Sequence, residues 1–137
     1  MKNFVTIDWI KSYYKDLGNY DHSPFYSISQ GRGLTYIGIA YHQDVIDEVR
    51  QTLYAFSCSY TVVNVWLGYI TDCSFQRISS QIIEETESAL IHAHQPHWNT
   101  KEKSTYYTRN NLTIISNGCP FLYPKIVSKV DGLEIHS

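Results

Sequence analysis

The chain has no apolar run long enough to span a bilayer, and its N-terminus lacks a basic segment followed by an apolar stretch. Neither a membrane span nor a secretory leader is expected, and no membrane partner. Cysteine is scarce. Cys58, Cys73 and Cys119 are odd in number, far apart, and form no Cys-x-x-Cys pair. Reduced thiols in a cytoplasmic compartment are the plain expectation, which makes the sequon at Asn111-Leu112-Thr113 a chance match. Internal repeats, low-complexity tracts and obvious linkers are missing as well. So is a strong excess of one charge: the net charge of −2 argues against a protein that coats nucleic acid. The charge is unevenly divided, with six Lys/Arg against ten Asp/Glu over residues 1–100 and five against three over 101–137. Any nucleic-acid contact must use a local patch, for which Lys101, Lys103, Arg109, Lys125 and Lys129 are candidates. An ordinary solvated surface accounts for those five equally well.

What is present is a folded composition. The 137 residues are 43% hydrophobic with scattered charges, enough for one domain with a buried core. Phe4, Ile7, Ile10 and Tyr14 recur at helical spacing and predict a helix over residues 4–16. A turn-rich segment from Gly18 to Pro24 follows. Residues 25–29 and 34–40 predict two strands around the loop Gln30-Gly31-Arg32-Gly33. Asp44 is placed to cap a helix running to about residue 56. Residues 62–70 predict a buried strand, and Ser79 or Ser80 caps a long helix ending near His94, before Pro96. Leu112 to Ser116 is a short strand stopped by Asn117-Gly118, and a mixed tail follows. The expected class is α+β, a small, mainly antiparallel sheet flanked by helices.

Several residues stand out for chemistry. A hairpin turning symmetrically about Gly31 sets Tyr26 opposite Tyr36, so that both hydroxyls leave one face and converge. Both are also ordinary strand-favouring aromatics in a chain with twelve tyrosines. Arg50 falls on the rim of a helix face made by Val45, Ile46, Val49, Leu53 and Phe56, where an arginine either snorkels or holds a phosphate bidentately. Glu84 and Glu85 fall on the polar side of the second helix. Glu87 lies instead among Ile83, Leu90 and Ile91, on the side facing the core. A carboxylate there needs a metal ion, an arginine or backbone donors. Asn99 follows a proline turn, where asparagine is common for local reasons. His92, His94 and His97 invite a zinc site, but their spacing does not bring all three to one helical face.

Taken together, these residues resemble the GIY-YIG nuclease family. Phe25-Tyr26-Ser27 stands where the family has its first tripeptide, and Tyr36-Ile37-Gly38 matches the second literally. Arg50 is similar to the family's helix arginine. Glu87, followed by Leu90-Ile91, Pro96, Trp98 and Asn99, resembles its glutamate motif. The similarity covers about residues 24–100 of a single domain over 1–137, leaving an N-terminal helix and a C-terminal extension outside the core.

The resemblance implies hydrolysis of phosphodiester bonds in DNA. Glu87 would bind one divalent ion, Mg²⁺ or Mn²⁺, Tyr26 would help activate the attacking water, and Tyr36 would orient that network. Arg50 would offset charge on the phosphate, and Asn99 would brace the site. Tyr54 stands where some members carry a histidine, so His42 is a candidate substitute for the general base. Lys101, Lys103 and Arg109 would contact nucleic acid. Two other readings remain open: a non-catalytic nucleic-acid-binding domain on the same fold, and an interaction protein using its tyrosines as contact surface.

Overall fold

The computed structural model describes residues 3–13, 25–40, 44–100, 103, 108 and 111–137. Its framework is one seven-stranded mixed sheet, curled into a half-barrel, and strands account for 43% of the structure. The strands are β1 (Asn3–Ser12), β2 (Phe25–Gln30), β3 (Gly33–Ile39), β4 (Asn64–Cys73), β5 (Leu112–Asn117), β6 (Lys125–Lys129) and β7 (Gly132–His136). They lie side by side in the order β3-β2-β4-β1-β5-β6-β7. Among the described residues there are two α-helices, α1 (Val45–Ala55) and α2 (Ser80–His94), and a short 3₁₀ turn at Tyr60–Val62. The expected small sheet flanked by helices is therefore overturned: this is a predominantly β molecule.

The largest single correction is at the N-terminus. Residues 3–12 form a central strand, antiparallel to β4 and parallel to β5. The alternation Val5, Ile7, Trp9 governs, all three being buried, while Ile10 is left exposed. A strand hydrogen-bonded on both sides gains more than an isolated helix of ten residues can. The turn-rich segment Gly18 to Pro24 lies outside the described residues. At the other end the tail is not a loose extension. Ile126 and Ser128 alternate inward on β6, which pairs antiparallel with both β5 and β7 and so completes the sheet.

Both helices start and stop for local reasons. Val45, Val49 and Leu53 make the buried stripe of α1, and Asp44 stands extended at its N-cap position but makes no side-chain cap bond. The Ser79 hydroxyl accepts the Ile82 N–H at 3.3 Å and starts α2. Gln95 closes that helix in the left-handed conformation, its N–H donating to the Ile91 carbonyl at 2.8 Å, and Pro96 prevents continuation.

The core divides in two across the sheet. On one face Val5, Ile7, Trp9, Phe25, Ile37, Leu112, Ile114 and Ile126 pack with Ile82, Ala89, Leu90 and Ile91 of α2. On the other, Tyr26, Ile28, Val65 and Leu67 pack with Val45, Val49 and Leu53 of α1. Neighbouring strand residues such as Phe25 and Tyr26, or Tyr36 and Ile37, therefore belong to different cores, as strand alternation requires. No described helix is long and apolar enough to cross a membrane.

Candidate functional site

The β2–β3 hairpin forms, with Gly31 in the left-handed region at φ 62°. Its register differs from symmetry about Gly31. Tyr26 pairs with Gly38 and Ile28 with Tyr36, and an irregularity between Ile28 and Ser29 absorbs the offset. The two phenols still meet, because Tyr36 is the diagonal neighbour of Tyr26 on the same face. Their ring centroids are 5.8 Å apart with planes inclined by 31°. Gly38, directly opposite Tyr26, leaves the gap that both rings fill.

Tyr26 is fully buried, and its hydroxyl lies 2.9 Å from the Thr52 hydroxyl of α1. Burial, and then the neighbouring Tyr36, push its ionisation far above the ordinary phenol range, so it stays a neutral hydrogen-bonding group. Tyr36 is half-buried. Its phenol is also raised, first by burial, then by the negative charge of Glu87 and then that of Glu48. Glu48 comes from α1 and Glu87 from α2, helices packed on opposite faces of the sheet. Both carboxylates act on Tyr36, which lies on the edge strand β3. Phe56 and Trp98 wall this place: Phe56 stacks on Trp98 at 4.6 Å and 6°, and lies 6.4 Å from Tyr36.

The segment after α2 runs along the exposed side of β3. The Trp98 N–H donates to the Thr35 carbonyl at 2.8 Å. Asn99 Oδ1 accepts the Ile37 N–H at 3.0 Å, and its Nδ2 donates to the Ile37 carbonyl at 2.9 Å. Asn99 thus acts as a side-chain strand that covers an open sheet edge. Asn99→Ala would leave both backbone groups of buried Ile37 without these partners. A stability loss of about 1–3 kcal/mol is expected, read from the urea midpoint.

Arg50 is elsewhere. It is two positions from both Glu48 and Thr52, about 200° around the helix, so it points away from the phenols. Its guanidinium is mostly exposed and lies 3.7 Å from Asp47. Glu87 is half-buried, whereas Glu85, expected on the polar side, is 1% exposed and accepts a hydrogen bond from Thr108 at 3.3 Å. His42, Lys101 and Arg109 lie outside the described residues. Lys103 is described: its carbonyl accepts from Gln95 Nε2 at 2.6 Å. Lys125 and Lys129 sit on β6, at the far end of the sheet from β3, and Lys129 is paired with Glu134.

Thr52 and Glu48 were not singled out by motif, yet a signal exists. Thr52 sits inside the apolar stripe of α1, three residues after Val49, and Glu48 is one turn before it.

Of the three histidines, His94 has both ring nitrogens engaged. Nδ1 is 2.7 Å from the Leu90 carbonyl, and Nε2 accepts the Tyr123 N–H at 2.9 Å. That pattern requires the neutral ring with its proton on Nδ1. Burial lowers its pKa from the ordinary 6.5. The unfolded chain then binds a proton before the folded one does. Stability is full above about pH 6.5 and falls as the pH drops from there toward the lowered folded value. The slope is bounded by one proton, about 1.4 kcal/mol per pH unit. Urea melts between neutral and mildly acid pH should show this slope, and His94→Gln should flatten it.

The donors at the phenol site are all oxygen: two carboxylates, two phenols and a hydroxyl. Among the described residues no group of three or more His, Cys, Asp or Glu converges for a metal ion. A hard cation such as Mg²⁺, which is commonly held by one or two carboxylates plus substrate phosphates, fits this donor set. Compared with known proteins, the chain matches no family model, no curated protein and no solved structure.

Proposed function

We propose that the chain is a divalent-metal-dependent endonuclease of the GIY-YIG type that hydrolyses phosphodiester bonds in DNA. The observation that carries this reading is that the Tyr26 and Tyr36 rings meet, centroids 5.8 Å apart, with the Glu87 charge raising the Tyr36 phenol from a distant part of the sequence. The hairpin, helix, strand, helix order of the resemblance recurs over residues 25–94, as one part of a larger sheet.

In this reading Glu87 holds the cation. A bound Mg²⁺ or Mn²⁺ would polarise the scissile phosphate and stabilise the leaving oxygen. Tyr36, half-buried and protonated at neutral pH, donates a hydrogen bond to the attacking water or to a phosphate oxygen. Tyr26 is too buried to reach substrate. It fixes the Tyr36 ring from beneath and is itself fixed by Thr52. Asn99 holds the β3 edge that carries Tyr36. The three cysteines are free thiols, which suits a cytoplasmic setting.

One observation favours a second reading, a nucleic-acid-binding domain without cleavage. The arginine that would offset phosphate charge faces Asp47, away from the phenols. Incubation of the protein with supercoiled plasmid, with Mg²⁺ and with EDTA, decides between them. Metal-dependent nicking is the expected result; DNA binding with no nicking in Mg²⁺ or Mn²⁺ would leave only the binding domain.

A further inference from the structure

The end of α1 and the turn after it border an open, shallow cavity of about 220 Å³ lined by Arg50, Leu53, Tyr54, Cys58, Ser59 and Tyr60. Nothing in the proposed chemistry uses it. Tyr54 and Tyr60 are 88% and 53% exposed, and Phe56 and Val62 beside them are also exposed. Four large side chains left open within nine residues of chain form a surface that folding alone does not explain. One cation stands among them: Arg50 is one helical turn before Tyr54, the spacing at which two side chains on a helix adjoin.

We propose that this cavity is a subsite for single-stranded DNA, taking one base against the tyrosine rings and its phosphate on Arg50. The inference rests on the nuclease reading for its ligand and extends it by assigning where the strand lies. Flat phenol faces accept any base, and a guanidinium matches a phosphate bidentately. The Arg50–Asp47 contact is long and exposed, and an ion pair of that kind is worth little. Arg50 then acts in binding, on the side of α1 to which the helical period assigns it.

Cys58 supplies a reporter that needs no catalysis. The full chain is treated with iodoacetamide in EDTA, with and without an oligothymidylate of about a dozen nucleotides, and alkylation is followed at each thiol by peptide mass mapping. Cys73, at the far end of β4 with its thiol hydrogen-bonded to the Phe75 carbonyl, serves as the reference. The oligonucleotide should slow alkylation of Cys58 about fivefold or more and leave Cys73 unchanged. Tyr54→Ala and Tyr60→Ala should each weaken oligonucleotide affinity about tenfold, and Arg50→Ala should reduce its salt dependence by about one counterion. Circular dichroism establishes that each variant is folded. Oligonucleotide binding with Cys58 unprotected, affinity unchanged in Tyr54→Ala, or no binding at all would each overturn the subsite. Plasmid nicking reports the catalytic proposal separately. Protection of Cys58 without nicking keeps the subsite and removes the nuclease; nicking without protection does the reverse.

Discussion

Glu87→Gln is expected to lower metal-dependent nicking by at least about a hundredfold while leaving the fold intact. The substitution keeps the shape and hydrogen-bonding reach of the side chain and removes only its charge. If that charge holds the cation or stabilises charge developing on the phosphate, its loss falls on the transition state, where losses of about 10²–10³ in rate are usual for one electrostatic group. Circular dichroism should show the variant folded. A second readout does not depend on activity. The Glu87 carboxylate is the largest charge raising the Tyr36 phenol, so its removal must lower the pH at which Tyr36 ionises. Carbon-13 tyrosine NMR across alkaline pH should show one resonance moving down in Glu87→Gln, assigned through Tyr36→Phe. A Tyr36 titration unchanged by Glu87→Gln would mean the carboxylate does not face the phenol, and the proposed site would fail whatever the nicking assay returned.

The parts of this molecule that were legible in its residues are those whose order is locally determined. The stripe Val45, Val49, Leu53 and the Ser79 cap are local signals that mark the two helices. Gly31 likewise marks the hairpin. β1 was not legible, because Phe4, Ile7 and Ile10 fit a helical period as well as Val5, Ile7 and Trp9 fit a strand. Pairing with β4 and β5, more than 50 residues away in sequence, decides between them. β6 and β7 are five residues each and too short to show a pattern; they exist because β5 offers an edge. The site was legible in its residue types more than in its geometry. Tyr26 and Tyr36 do meet, through a register the turn alone did not specify. Which rim of α1 faces them depends on how that helix docks, and docking turned Thr52 and Glu48 inward and Arg50 out. Glu85 is polar-faced by helical period and yet buried, with the Thr108 hydroxyl donating to its carboxylate.

Gly38→Ala is expected to be the most damaging single-methyl change at the site. A Cβ built on Gly38 would lie 2.7 Å from Cζ and 2.8 Å from the hydroxyl oxygen of Tyr26, and 2.8 Å from Cε2 of Tyr36. Carbon atoms in contact need about 3.5–4.0 Å, so at least one ring must move. Tyr36 is half-buried and can swing outward, but Tyr26 is enclosed by Ile28, Val49, Leu67 and its bond to Thr52. The strain therefore falls on the α1 core, and overpacking of this kind costs about 1–3 kcal/mol. The three residues of the tripeptide then have three separate reasons. Tyr36 presents the phenol. Ile37 enters the opposite core while Asn99 holds its backbone. Gly38 is the space in which the two rings approach. Two measurements separate packing from chemistry. The urea midpoint of Gly38→Ala should fall, and in a Tyr36→Ala background the further loss should be smaller, since one of the two colliding rings is gone. Equal losses in both backgrounds would mean that Tyr36 does not pack over the glycine, and the geometry of the site would have to be redrawn around Tyr26 alone.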